Sequence, residues 1–168
     1  RYYNTCFAIK NPENQYFMVD TGGGNGILRI LEDMQVSIPD IHHIFITHEH
    51  TDHLLGIVWM IRVIATRMKN GKYDGDLNIY CHEALTETIT TICRLTLQGK
   101  FFKMIGERIF INPVEDQEVR KVMGYELTFF DIHSTKAKQF GFCMEYADGK
   151  KLTCCGDEPY NECEQKYA

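Results

Sequence analysis

The chain has 168 residues, 44% of them hydrophobic and 12% aromatic, which is enough for one domain with a real core and too apolar for a disordered segment. Its formal net charge of −5 does not advertise a broad nucleic-acid surface, although a local basic groove is compatible with an acidic total. The longest apolar stretch, Leu54 to Ala65, is broken by Arg62 and is too short to cross a bilayer, and no signal peptide is evident. The seven cysteines are odd in number, show no C-x-x-C spacing and sit mostly in apolar runs. Buried free thiols, a cytoplasmic location and no membrane association are therefore expected.

In chain order, Asn4 to Ile9 and Gln15 to Asp20 read as short strands joined by the turn Asn11-Pro12-Glu13-Asn14. The glycine run Gly22-Gly23-Gly24-Asn25-Gly26 follows. It is not a dinucleotide fingerprint, because the third glycine of that pattern falls on Ile27, and it lacks the lysine of a phosphate-binding loop. It opens an amphipathic helix with Ile27, Leu28, Leu31 and Met34 on one face, closed by Pro39. His42 to Thr47 is a strand. His42 and His43, at its far end, read as structural or solvent-facing. Leu54 to Met68 is a helix apolar almost all round, hence buried on most sides. Leu77 to Cys81 is a strand, and Glu83 to Leu97 a helix with Leu85, Ile89, Ile92 and Thr96 on its core face. His82 opens that helix as a capping or surface residue. Lys100-Phe101-Phe102-Lys103 reads as a helix end with snorkelling lysines rather than a substrate-facing lip. Arg108 to Ile111 and Tyr125 to Ile132 are strands, and Gln139 to Tyr146 and Lys151 to Cys155 flank the hairpin turn Asp148-Gly149. Interleaved helices and strands that end in hairpins indicate a layered α/β architecture with a mixed sheet.

Between the strand ending at Thr47 and the helix from Leu54 lies His48-Glu49-His50-Thr51-Asp52-His53. Imidazole and carboxylate are the donors that zinc and similar divalent ions take. In an extended segment, residues two apart point the same way, so His48 and His50 can grip one ion while Asp52 and His53 reach a second. Thr51 or Asp52 is a candidate cap for the following helix. Glu49 points away from its histidine neighbours and receives no chemical role. Two further ligand-type residues stand at strand ends: His133, before Ser134-Thr135-Lys136, and Asp157, after Cys155-Gly156.

The order Asp20 before a glycine turn, H-x-H-x-D-H at 48–53, a strand-end histidine at 133 and a post-hairpin aspartate at 157 resembles the metallo-β-lactamase-fold hydrolases, in the branch of ribonuclease Z and its uncharacterised relatives. The resemblance covers nearly the whole chain. It implies a four-layer αβ/βα sandwich and a binuclear site with two divalent ions, zinc foremost, manganese or iron also fitting. His48, His50 and His133 would hold one ion, and Asp52, His53 and Asp157 the other, with Asp157 bridging. Asp20 would orient a ligand. A metal-bridging hydroxide would cleave an ester-like or phosphodiester bond, with Asp52 handling the proton. Lys136 and Lys138 are candidate phosphate contacts. The chain departs from the family pattern in having no histidine after Asp157, the family's last ligand, and no strand before Asn4. The expectation is a single domain over residues 1–168, a fragment incomplete at both ends, with a homodimer implied only by the resemblance. The alternative activities are transfer-RNA 3′ processing and, from another class, a non-catalytic metal or redox scaffold. The short interval from His133 to Asp157 counts against transfer-RNA processing, because the resembling nucleases that grip transfer RNA often carry a long arm there.

Overall fold

The computed structural model describes residues 6–157, 159 and 162–167. The first residues of the strand predicted from Asn4 lie outside them. Among the described residues, nine strands form two sheets. The first carries β1 (Phe7–Lys10), β2 (Tyr16–Val19), β3 (Ile41–Phe45), β4 (Leu77–His82) and β5 (Ile109–Val114) in sequence order. β1 and β2 pair antiparallel, and the remaining pairs are parallel, so the sheet is mixed as the pattern predicts. The second sheet is an antiparallel meander of β6 (Val119–Val122), β7 (Tyr125–Asp131), β8 (Phe140–Glu145) and β9 (Lys151–Cys154). β6 has no counterpart in the sequence reading. Four residues carrying Arg120 and Lys121 on a sheet edge show little hydrophobic alternation, and charge there blocks unwanted strand pairing. β5 runs past Ile111 through Pro113, which the edge of a sheet tolerates.

The strand period of two splits the core in half. Phe17, Val19 and Phe45 face the second sheet, where they meet Leu127, Phe129, Phe142 and Met144. Phe45 lies 5.3 Å from Phe129 and 5.6 Å from Phe142 between ring centroids, in tilted and edge-on contacts. Each such fully buried ring is worth about 1.5–3 kcal/mol of transfer free energy. The alternate residues Met18, Ile44, Ile46 and Ile79 face a layer of helices. That layer holds α1 (Gly26–Asp33), α2 (Thr51–Leu54), α3 (Gly56–Lys69), α4 (Glu83–Thr96) and α5 (Gly99–Phe102). On the outer face of the second sheet, the 3-10 segment Glu162–Tyr167 lays Tyr167 flat on Phe130 at 3.8 Å, the part of the fourth layer that the described residues contain.

Three helical expectations are corrected. Met34, placed on the apolar face of α1, is 69% exposed at the helix C-cap, and only Ile27 and Leu31 of that face are fully buried. In α4 the buried positions are Leu85, Ile89 and Cys93, spaced by four, and Thr96 is exposed. The long helix predicted from Leu54 starts earlier, at Thr51, and breaks at Leu55. Position 56 explains the break. The Gly56 amide donates to the Gly22 carbonyl at 2.9 Å, which turns the chain out of the first helical turn. The lysines around Phe101 behave as expected, with Lys100 lying over the Phe101 ring at 4.9 Å. Cys81, Cys93 and Cys143 are buried and unbridged, and burial pushes the Cys81 thiol up to about 11 and that of Cys93 to about 12. The side chain of Cys163 lies outside what the structure describes.

His42 contacts the Asp76 carbonyl at 3.2 Å, and His43 packs under Tyr80 with its Nδ1 3.2 Å from the phenol oxygen. Burial, with the charge of His42 adding to it, lowers the His43 pKa to about 4. A depressed histidine pKa means that the unfolded chain takes up the proton first as pH falls. Stability is therefore intact above the ordinary value of 6.5 and is lost on the way down to pH 4. Between pH 7 and pH 4.5 this amounts to about 2–3 kcal/mol for His43. His43→Gln should lose that much less stability than the wild type over the same interval, read by urea unfolding at the two pH values. Equal losses would show that His43 is not the sensor.

Candidate metal centre

The H-x-H-x-D-H segment spans the end of β3 and the start of α2, and the fold converges on it. Thr47 to His50 leave the sheet as extended chain, and the Phe140 amide of the second sheet donates to the Thr47 carbonyl at 3.0 Å. His50 occupies the N-cap position of α2 without a side-chain cap, so neither Thr51 nor Asp52 caps the helix. On the facing loop, the Asp20 amide donates to the Phe45 carbonyl at 2.7 Å. The Thr21 amide and hydroxyl both reach the His53 carbonyl, at 2.8 and 3.0 Å.

Asp20 is the organising group. It is 3% exposed and sits in the left-handed region at φ +57°, a conformation that aspartate tolerates better than most residues. Its Oδ2 accepts from His53 Nδ1 at 2.8 Å, and its carboxylate also accepts from the Thr47 amide at 2.8 Å and the Thr47 hydroxyl at 2.9 Å. Thr47 Oγ1 in turn lies 2.8 Å from His48 Nδ1. With the threonine proton given to Asp20, the histidine Nδ1–H donates to Thr47. One buried carboxylate thus sets the tautomer of both buried histidines, His53 directly and His48 through Thr47, and leaves both Nε2 atoms free to face the cleft. Thr47 was not singled out in the sequence, where a threonine at the end of a strand has no distinguishing spacing.

The outward nitrogens converge. His48 Nε2 lies 2.8 Å from His50 Nδ1 and 3.7 Å from Asp157 Oδ1. His53 Nε2 lies 3.5 Å from Asp157 Oδ2 and 4.0 Å from Asp52 Oδ2. The donor atoms of His48, His50 and Asp157 all lie within 4.8 Å of one another. The two oxygens of Asp157 therefore face different histidines, His48 on one side and His53 on the other. Burial, reinforced by the nearby His53 and His50, holds the His48 pKa down at about 4 against the pull of Asp157. Burial also works against charge on His53, but the hydrogen bond and charge of Asp20, with Asp157 and Asp52, overcome it and leave that pKa raised. The site pairs a neutral imidazole with one that sits beside three carboxylates.

His133 stands apart from this group. It has φ +58°, its side chain is 63% exposed, and its Nδ1 is 3.7 Å from Asp131 Oδ1. It lines a shallow cavity of about 410 Å³ with Ser134, Lys136 and Lys138. Lys138 Nζ is 4.0 Å from Asp131, and the Lys136 amide donates to the Ser134 hydroxyl at 3.3 Å. His82 is at the N-cap position of α4, yet it makes no capping bond and is 2% exposed, so it is neither of the roles its position suggested.

With this geometry in view, the comparisons with known proteins agree. The ribonuclease Z of Methanococcus aeolicus is 29% identical over 114 residues, 67% of this chain and 34% of that protein. That of Phocaeicola vulgatus is 26% identical over 105 residues, 62% of this chain and 32% of that protein. The chain thus spans about a third of the length of the curated relatives it matches. Among solved structures, the metallo-β-lactamase fold protein YhfI from Bacillus subtilis superposes with a TM-score of 0.74 at 14% identity, covering 95% of this chain and 58% of that one. The short form of human tRNase Z gives 0.68 at 18% identity, covering 92% and 62%. The family model described as Anti-Pycsar protein Apyc1 matches residues 1–166. The chain therefore has the metallo-β-lactamase fold and belongs to the Anti-Pycsar protein Apyc1 family.

Proposed function

We propose that the protein is a metal-dependent hydrolase of phosphodiester or ester-like bonds. The observation that carries this reading is Asp157 standing between His48 with His50 and His53 with Asp52, with His53 held from behind by Asp20 and His48 through Thr47. The donor set fits two divalent ions. Imidazole and carboxylate are the donors that zinc accepts, with bonds of roughly 2.0–2.2 Å, and the outward nitrogens are held in the ligand tautomer. His48 and His50 are assigned to one ion, with His133 as its further donor from the neighbouring loop. Asp52 and His53 are assigned to the other, and Asp157 is shared. Zinc is favoured by the histidine content, with manganese or iron compatible with the same donors. Bound divalent ions supply Lewis acidity for the scissile bond and bring the pKa of water toward neutrality.

The residues do the rest. Asp20 and Thr47 fix the two buried imidazoles, so ordering the donors costs little when the site fills. Asp52, with a side chain 34% exposed at the start of α2, is placed to orient the attacking water and take its proton. The phosphorus substrate is preferred over a carbonyl ester because relatives and neighbours are named as ribonucleases Z and a diphosphatase. The same names support a second reading, cleavage of RNA.

Purified protein should hydrolyse bis(p-nitrophenyl) phosphate, lose at least about 100-fold in rate after removal of metal by chelation, and recover on addition of zinc or manganese. An undiminished rate in the chelated protein would refute metal dependence. Cleavage of a precursor transfer RNA in preference to the small ester would favour the second reading.

A further inference from the structure

Three strand ends meet at Gln139, the residue before β8. Its side chain is polar yet 0% exposed. Taking an amide out of water costs free energy, so what it is packed against is informative. The main chain around it already joins two parts of the site. The Ile132 amide, just past β7 and one residue before His133, donates to the Gln139 carbonyl at 3.0 Å. The Phe140 amide donates to the Thr47 carbonyl beyond β3, also at 3.0 Å, and Thr47 links Asp20 to His48.

The side chain of Gln139 brings in the third strand end. Gly156 lies just past β9 at φ +64° and immediately precedes Asp157. A Cβ at position 156 would sit 2.7 Å from Gln139 Oε1, 3.3 Å from Ile132 Cδ1 and 3.8 Å from Gln139 Cδ. The buried amide and Ile132 therefore form the floor on which the bare Cα of residue 156 rests. Both side chains are 0% exposed, so close packing holds that floor in place. Asp157 has a side chain 45% exposed, and its position between His48 and His53 is set by the backbone that delivers it.

We propose that Gln139 is a positioning residue for the metal centre, one that fixes the Gly156 turn and with it the reach of Asp157 toward His48 and His53. The inference rests on the reading of Asp157 as a shared metal donor, and Gln139 acts through that residue. Cobalt(II) is the probe, because its visible absorption reports the donors around it and its titration does not depend on turnover. Titrated into the metal-free full-length protein, it should bind the wild type at about two ions per chain. Gln139→Ala should weaken the second equivalent by about tenfold, the lower end of the effect of removing a group behind a metal ligand, and alter its absorption band. Gln139→Asn keeps a buried amide but draws it back from Gly156, and it should give the same result if the alanine variant folds poorly. In an Asp157→Ala background, Gln139→Ala should cost no further affinity, because the group it acts through is gone. Wild-type cobalt affinity and absorption in the Gln139 variants, even with a lowered urea midpoint, would make Gln139 a packing residue and overturn the proposal. A further loss of about tenfold on top of Asp157→Ala would overturn it as well. Asp157→Ala separates the two claims. If it binds cobalt as the wild type does, the shared-donor reading falls and the positioning role with it, whereas wild-type binding confined to the Gln139 variants sinks the positioning role alone.

Discussion

Asp157→Ala should abolish phosphodiester hydrolysis, by more than about 100-fold, which exceeds the usual effect of removing an outer partner of a metal ligand. The fold should survive. The Asp157 side chain is 45% exposed, and its contacts are the two histidine nitrogens at 3.5 and 3.7 Å, not core atoms. Without it, His48 and His53, whose rings are 4.1 Å apart between centroids, face one another with no carboxylate between them. His48→Ala should be as damaging to turnover, because it removes the nitrogen common to the His50 and Asp157 contacts. His42→Ala serves as the control. Its ring lies against Tyr73 at the far end of β3, and both activity and metal content should stay at the wild-type level. Steady-state kinetics with circular dichroism on the three variants reads all of this. Full activity in His48→Ala would remove the basis of the metal-site reading.

The second large effect is structural. A Cβ at position 56 would sit 1.8 Å from the Thr21 carbonyl oxygen and 2.7 Å from its carbon, both backbone atoms that cannot swing aside. Gly56→Ala must therefore push the Asp20-Thr21-Gly22 loop away from the junction of α2 and α3. That separation breaks the bonds from Thr21 to the His53 and Leu54 carbonyls and pulls Asp20 off His53. Overpacking of a tight backbone contact costs about 3 kcal/mol, occasionally more. The urea midpoint should fall accordingly, and metal affinity should fall with it, since the loop that moves carries the organising carboxylate. Gly99→Ala is the control. A Cβ there meets nothing within 4 Å, and the unfolding midpoint should barely change. A Gly56→Ala protein as stable as the wild type would mean that Thr21 and α3 are not in contact.

The parts of this architecture that were legible in the sequence are those that repeat locally. Alternation in Phe17-Met18-Val19 and in Ile44-Phe45-Ile46 declares strands packed on two faces, and the hairpin around Asp148-Gly149 is written in its turn residues. The candidate donors at 48–53 are legible because ligand-type residues two apart on extended chain share a side, and Asp157 is legible as a further candidate because it follows a strand end and a glycine. What could not be read depends on residues far apart in the chain. Thr21 meets His53 across 32 positions, and the close approach that demands glycine at 56 leaves no trace in the residues on either side of it. The same close approach breaks the predicted long helix at Leu55, which propensity alone would continue. Thr47 carries the hydrogen-bond relay by its place between Asp20 and His48, with no spacing signal. His82 sits in a run that reads as an ordinary helix start, and only the fold shows that its ring is buried.

The most direct test is the metal content of protein purified without chelator, measured by plasma mass spectrometry. The account predicts about two divalent ions per chain, the number that the proposed sharing of Asp157 between two histidine sets would hold. A chain that holds none, even after incubation with zinc and manganese, would contradict it.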